Sequence, residues 1–68
     1  MTFCENLLRL RKEKGLTQPE VAKGAGLSLR GYQNYERGLR EPSLSALIGL
    51  ADFYDISLDE LVCRRRQD

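Results

Sequence analysis

The fold is decided by residues 17–37, TQPEVAKGAGLSLRGYQNYER. Two helix starts are expected within this stretch, at Thr17 and Ser28, because a hydroxyl there can accept a hydrogen bond from a free backbone N–H of the first turn. Ala22 and Gly26 lie between the two starts, four residues apart. A small residue lets a second helix approach closely, and glycine can adopt the positive φ that a tight corner needs. The stretch therefore predicts two short helices joined by a tight turn.

The second of these helices has two unlike faces. At about 100° per residue, Tyr32, Tyr35 and Glu36 share one side. The other side carries long polar or cationic side chains and no acidic one: Arg30, Gln33, Asn34 and Arg37. Arginine, glutamine and asparagine can form paired hydrogen bonds with guanine and adenine in the major groove of DNA. A solvated surface helix could present a similar face, but it would more often mix in Glu and Lys.

Three further helices complete the pattern. Ser/Thr-x-x-Glu capping boxes begin at Thr2, Thr17 and Ser57, and Ser28 and Ser43 can cap two more helices. Apolar residues recur at helical spacing, as in Leu44, Leu47, Ile48, Ala51 and Tyr54, and no stretch alternates as a strand would. The sequence thus predicts an all-α domain whose five helices lie at residues 2–14, 17–25, 28–37, 43–54 and 57–63.

Length and composition restrict the class of protein. The 68 residues, 41% hydrophobic and 31% charged, have room for one folded domain over residues 1–68. We expect no small-molecule effector, because a sensing domain would need on the order of 100 further residues. No apolar run approaches the roughly 20 residues of a membrane span, and the first residues do not resemble a signal peptide. We therefore expect a cytoplasmic protein without membrane association.

The sequence lacks the residue patterns that are typical of catalytic or metal sites. The chain has no histidine, and Cys4 and Cys63 lie near its opposite ends. This spacing matches no common zinc site, and neither a nucleophile motif nor a phosphate-binding glycine loop is present. We expect no enzyme activity, no cofactor and no metal. Free thiols are the expected state of both cysteines, because the cytoplasm is reducing.

Charge is distributed unevenly along the chain. The net charge is only +1, but residues 1–40 carry eight basic and four acidic side chains, whereas residues 41–68 carry three basic and six acidic ones. This uneven distribution of charge allows a basic face of the domain to bind the phosphates of a nucleic acid. The Arg64-Arg65-Arg66 run could extend that face, although a frayed, solvated terminus is the simpler interpretation.

Several short fragments of the sequence occur in an order and at a spacing that are typical of one protein family. They are Leu10 to Gln18 (LRKEKGLTQ), Val21-Ala22, Gly26-Leu27-Ser28, Tyr35 to Gly38 (YERG), Glu41 to Leu44 (EPSL), and Ala51 to Leu61. Over about residues 3–62 the chain resembles the phage-repressor or Cro-like (XRE-type) helix-turn-helix family. The resemblance implies a compact five-helix, lambda-repressor-like domain with the helix-turn-helix at helices 2 and 3. It further implies a transcriptional repressor that binds double-stranded DNA as a homodimer on a palindromic operator.

The resemblance also implies roles for individual residues. Base contacts fall to Leu29, Arg30, Gln33 and Asn34, and phosphate contacts to Gln18, Ser28, Arg37 and Arg40. Arg30 is the expected guanine contact, and Leu29 can pack on a thymine methyl group. Arg11 and Glu36 correspond to a structural salt bridge that ties the first helix to the end of the recognition helix. For the dimer interface, the apolar candidates around the fifth helix are Phe53, Leu58, Leu61 and Val62.

Three glycine and leucine positions depart from the family pattern. Leu29 and Gly31 stand where many relatives have polar or better helix-forming residues, so the operator sequence cannot be carried over. Gly24 should weaken the second helix by roughly 1 kcal/mol relative to alanine.

A protein-interaction module of the same fold is the alternative function. Such a module would be an antitoxin or an anti-repressor that holds a protein on its helical surface. A module that binds only protein would tend to lose the cationic face, yet Arg30, Asn34, Arg37 and Arg40 are retained. An antitoxin that also binds its own promoter would keep them, so this combined role and any toxin partner stay open at the level of sequence.

Overall fold

Five α-helices make up the computed structural model, which describes residues 1–63. They are Phe3–Glu13 (α1), Gln18–Gly24 (α2), Leu29–Glu36 (α3), Leu44–Tyr54 (α4) and Leu58–Leu61 (α5), and no strand occurs among the described residues. The predicted all-α, five-helix fold is confirmed. Each helix begins one residue after its predicted start, because the Ser or Thr there is the N-cap. The Arg64-Arg65-Arg66 run lies outside the described residues.

In every helix, a serine or threonine hydroxyl accepts a hydrogen bond from a backbone N–H of the first turn. Thr2 and Thr17 form complete capping boxes, in which the threonine and the glutamate three residues later each accept the other's backbone N–H. At Ser57 the box is incomplete, because Glu60 accepts from the serine hydroxyl at 3.3 Å instead. Each cap is worth roughly 1 kcal/mol, so these short helices start at defined residues.

Four helices end in the same hydrogen-bonded turn. A backbone N–H bonds back to the carbonyl five residues earlier, at Leu16, Leu27, Leu39 and Ile56, over 2.8–3.1 Å. The residue before each of these four has a positive φ, as in the Schellman motif. Leu16, Leu27 and Ile56, which we call the connector residues, then pack on the core, whereas Leu39 is 71% exposed. Each connector residue therefore closes one helix and anchors the start of the next.

The core lies between the inner faces of all five helices. Leu7, Val21, Tyr32, Leu50 and Leu61 are each fully buried. Leu61 is the residue through which the single turn of α5 joins this core. The predicted apolar face of α4 is partly wrong. Leu47, Ala51 and Tyr54 pack inward as predicted, together with Ala46 and Leu50, whereas Leu44 and Ile48 are 67% and 44% exposed.

Asn6 holds α5 against α1. Its side chain is buried, and its Nδ2 donates to the carbonyl oxygens of Glu60 and Leu61 at 3.1 and 2.9 Å. Its Oδ1 accepts from Nε and Nη2 of Arg9 at 3.1 and 2.7 Å. The last carbonyls of a helix have no partner within it, so Asn6 acts as the C-terminal cap of α5. No pattern in the sequence singles out this residue.

Two glycines let α4 lie directly on α2. A Cβ at Gly24 would overlap the ring of Phe53, and a Cβ at Gly49 would overlap the carbonyl oxygen of Ala25. Phe53 also packs edge-to-face on Tyr54, with ring centroids 5.0 Å apart. The lower helix propensity of glycine at position 24 is thus offset by the close packing of Phe53 against it.

Within residues 1–63, no helix is both long and apolar enough to cross a membrane. No cluster of three or more potential metal ligands occurs in the same part of the chain. Cys4 and Cys63 are half-buried free thiols.

Candidate nucleic-acid interface

The corner between α2 and α3 places α3 on the surface of the domain. Gly26 has φ 75°, the positive value that the sequence predicts for it, and the N–H of Leu27 bonds to the carbonyl of Ala22 at 2.8 Å. Ala22 is buried beneath this corner. Tyr32 is fully buried on the inner side of α3. Because one side of α3 is packed in this way, its opposite side is turned to solvent.

A salt bridge between Arg11 and Glu36 ties α1 to the last residue of α3. Nε and Nη2 of Arg11 lie 3.0 and 2.8 Å from the two carboxylate oxygens, and Nη1 donates to the carbonyl of Leu16 at 3.2 Å. The two side chains are only 17% and 7% exposed. Such a pair of parallel charged hydrogen bonds is stronger than hydrogen bonds between neutral groups and also fixes the relative orientation of the two side chains.

The charged form of Glu36 is favoured despite its burial. Burial alone would raise the pKa of this carboxyl, but the neighbouring Arg11, Tyr32 and Gln18 side chains outweigh that effect and lower the pKa below its ordinary value. The pKa of Arg11 is raised in turn, chiefly by its hydrogen bonds to Glu36. Both groups are therefore ionised at neutral pH.

Two tyrosine hydroxyls are buried near this ion pair. Burial raises the pKa of both Tyr32 and Tyr54. The Tyr32 hydroxyl lies near the Glu36 carboxylate without reaching hydrogen-bond geometry, and neither hydroxyl has another partner among the described residues. Both side chains are therefore neutral at neutral pH, and their rings pack in the core.

Glu36 also begins a chain of hydrogen bonds that reaches the polar face of α3. Its Oε1 accepts from Nε2 of Gln18 at 3.2 Å, and Oε1 of Gln18 accepts from Nε2 of Gln33 at 3.1 Å. We call this series Glu36, Gln18 and Gln33 the amide relay. From the sequence, Gln18 and Gln33 are separate candidates for phosphate and base contacts, and the structure joins them.

The other candidate contacts are distributed over the outer side of α3 and the turn that follows it. Arg30, Arg37 and Arg40 are exposed, Leu29 is 41% exposed, and Asn34 is half-buried. The hydroxyl oxygen of Ser28 accepts from the N–H of Gly31 at 3.0 Å, which leaves its hydrogen for an external acceptor. The one acidic residue of α3 is the paired Glu36, so the solvent-facing side of this helix is cationic and rich in amides.

The dimer candidates need correction. Leu61 is wrong as an interface residue, because it is fully buried in the core. Phe53 is half-buried, and its ring packs against Gly24 and Tyr54. Leu58 is 41% exposed and Val62 is half-buried, so both can still reach a partner. Leu44 and Ile48 are more exposed, and spacing alone could not separate them from the core side of α4.

Comparison with known proteins identifies the family. A helix-turn-helix family model matches residues 7–61. The chain belongs to the helix-turn-helix family. This confirms the resemblance and the fold class expected from the sequence, and it agrees with the expectation that the protein is not an enzyme.

Individual relatives of this helix-turn-helix chain are regulators of transcription. It is 43% identical over 60 residues to the uncharacterized HTH-type transcriptional regulator YqaE of Bacillus subtilis, covering 88% of this chain and 52% of YqaE. It is 40% identical over 60 residues to the cryptic phage CTXphi transcriptional repressor RstR of Vibrio cholerae, covering 88% of this chain and 54% of RstR. The chain thus spans about half the length of these relatives.

A solved structure gives the same fold over nearly the whole chain. The P22 c2 repressor, crystallised in complex with a synthetic operator, superposes with a TM-score of 0.87 at 25% identity. The match covers 96% of this helix-turn-helix chain and 98% of the P22 c2 chain.

Proposed function

We propose that this helix-turn-helix domain represses transcription by inserting α3 into the major groove of a specific double-stranded operator. The observation that carries the proposal is the outer side of α3, where arginine side chains are exposed, amide side chains are half-buried beside them, and the one acid is neutralised by Arg11. Such a face suits both phosphate attraction and base recognition. The names of RstR, a repressor, and of the P22 c2 repressor, crystallised with a synthetic operator, support the same function. We expect the protein to act in the cytoplasm.

Different residues have different parts in this proposal. Leu29, Arg30, Gln33 and Asn34 contact base edges and set the sequence preference. Gln18, Ser28, Arg37 and Arg40 bind phosphates and set the register on the duplex. The Arg11–Glu36 pair holds α3 in place and does not touch DNA.

We also propose that the domain binds as a homodimer. The eight residues of α3 are about 12 Å long, enough to face roughly four base pairs, which is too few for a specific site. Two copies related by a twofold axis would read two half-sites about 34 Å apart on a palindromic operator. The exposed apolar side chains Leu44, Ile48 and Leu58 are the candidates for the interface, together with Val62.

Selection of bound fragments from random double-stranded DNA tests this function. The purified chain should enrich one motif, and the motif should be palindromic with half-sites one helical turn apart. The matched control is Arg30→Ala/Asn34→Ala, in which two outer residues of α3 change and the core does not, and it should enrich no motif. Equal enrichment of all sequences by the wild-type chain would contradict the proposal.

A further inference from the structure

We propose that Glu36, acting through Gln18, fixes the direction of the Gln33 side-chain amide, so that Gln33 accepts a hydrogen bond from a base bearing an exocyclic amino group. Gln33 would thus select adenine or cytosine over guanine or thymine at the base it contacts. Glu36 and Gln18 are positioning residues in this scheme, and Gln33 is the contacting residue. The inference rests on the proposed function, since it concerns what α3 recognises.

The first step of the relay follows from the charge of Glu36. A carboxylate has no hydrogen to donate, so it can only accept hydrogen bonds. The lowered pKa of Glu36 keeps it in this form at neutral pH. Gln18 must therefore turn its nitrogen toward Glu36, as it does at 3.2 Å. The opposite orientation would place two oxygens at that distance.

The second step passes this direction to Gln33. With its nitrogen on Glu36, Gln18 presents its carbonyl oxygen to Gln33, and an amide oxygen also only accepts. Gln33 must then turn its own nitrogen toward Gln18, as it does at 3.1 Å. Arg11 holds both oxygens of Glu36 at 2.8 and 3.0 Å, so the origin of the relay cannot rotate.

The relay leaves Gln33 a particular set of groups for DNA. One of its two N–H groups is used on Gln18, so the oxygen and a single N–H are available. In the major groove adenine and cytosine present amino donors, whereas guanine presents two acceptors and thymine one. An oxygen facing the base matches an amino donor, and guanine recognition through two N–H groups is no longer possible.

Two substitutions at position 18 test the relay and leave both residues of the Arg11–Glu36 pair in place. In Gln18→Lys the ammonium can donate to Glu36 and also to Gln33, which reverses the Gln33 amide and turns its nitrogen outward. Gln18→Met has a similar length but no hydrogen bond, which leaves the Gln33 amide free to adopt both directions. Gln33→Met in the wild-type background identifies the motif position that Gln33 contacts. Circular dichroism and thermal melting establish that each variant is folded.

The readout is the base preference at the Gln33 position after selection from random DNA, relative to the other positions of the same motif. Overall affinity is not the readout, because position 18 also faces phosphate in the proposed complex. The wild-type chain should prefer adenine or cytosine there by on the order of tenfold. Gln18→Lys should shift the preference to guanine or thymine, and Gln18→Met should reduce it to within about twofold.

The possible failures are distinguishable. If the wild-type chain, Gln18→Lys and Gln18→Met all showed the same base preference at the Gln33 position, the relay would be overturned. The proposed function would remain intact. The relay would also be overturned if Gln33→Met changed no position of the motif, or if the wild-type chain preferred guanine or thymine at the Gln33 position. Absence of any motif from the wild-type selection would instead overturn the proposed function.

Discussion

Arg30 and Arg37 carry the same charge at different places on the recognition helix. Arg30 lies in the first turn of α3, and Arg37 is the C-cap residue one position beyond its end. Arg30→Ala should weaken binding to the selected site by about 1–3 kcal/mol and relax the base preference there. Arg37→Ala should weaken binding to every sequence and reduce the salt dependence by about one unit of slope.

Binding isotherms at several salt concentrations, on the selected site and on random DNA, separate the two effects. Arg37→Ala serves as the matched control for Arg30→Ala, since each removes one positive charge from the same surface. If Arg30→Ala lost equal affinity on both DNAs, Arg30 would be a phosphate contact instead of a base contact.

Residues whose role is local could be predicted from the sequence, and those whose role depends on distant partners could not. Ser28 caps α3 through a backbone N–H three residues away, so the short motif is sufficient. Asn6 caps α5 through carbonyls 54 and 55 residues away, and no local pattern indicates this. Asp55 occupies the left-handed position after α4 that glycine fills after α1, α2 and α3, so the position of a glycine does not mark the end of α4.

At the scale of helices, the contact between α2 and α4 reverses the effect on stability that helix propensity predicts for Gly24→Ala. Helix propensity alone predicts that Gly24→Ala would stabilise α2 by roughly 1 kcal/mol. The added methyl group would instead overlap the Phe53 ring, and overpacking of this kind costs about 1–3 kcal/mol. We therefore expect Gly24→Ala to lower the free energy of unfolding, measured by urea denaturation.

A double-mutant cycle with Phe53→Leu isolates the cause. The smaller, flexible leucine should accommodate the added methyl group, so the cost of Gly24→Ala should be smaller in the Phe53→Leu background. Lys23→Ala, at the neighbouring exposed position of α2, is the control and should be nearly neutral. Equal costs of Gly24→Ala in both backgrounds would show that the ring is not the obstacle.

The starts of the helices are predictable because caps are local, whereas the way the helices pack is not. All five N-caps lie at the Ser or Thr residues that the sequence marks. The division of α4 into core and surface is less accessible, because Leu44 and Ile48 have the same spacing and hydrophobicity as the buried positions. The amide relay is also absent from the pattern, since it depends on how α2 lies against α3.

At the scale of the whole molecule, Glu36 makes stability depend on acid pH. Its pKa is lowered in the folded state, so the unfolded chain takes up the proton first as the pH falls. The stabilisation is fully present above the ordinary glutamate pKa of about 4.3 and is lost as the pH falls through the folded-state value. The capping carboxylates Glu5 and Glu20 shift in the same direction.

We expect the free energy of unfolding to decrease below about pH 5, as measured by urea denaturation at a series of pH values. Glu36→Gln should cost about 3 kcal/mol at neutral pH, because Arg11 loses its partner, and should show a flatter acid decline. An unchanged decline in Glu36→Gln would mean that other carboxyls cause it.

Association of two copies can be tested without DNA. Ile48→Asp places a charge on the exposed side of α4 and should shift sedimentation equilibrium toward monomer. Leu8→Asp is the matched control, since Leu8 is a similarly exposed leucine on α1. A wild-type chain that is monomeric both alone and on its selected site would refute the homodimer. Leu61→Asp would be uninformative, because a buried charge would unfold the core.

The connector residues also determine where the chain can change length. One extra amino acid after α1, α2 or α4 would pull Leu16, Leu27 or Ile56 out of the core or away from its closing hydrogen bond, so insertions and deletions should be excluded from these turns. The segment after α3 differs, because Leu39 closes the helix while remaining exposed. Residues 40–42, before the N-cap of α4, are therefore an internal place where natural variants of this domain can gain or lose residues without dismantling the fold.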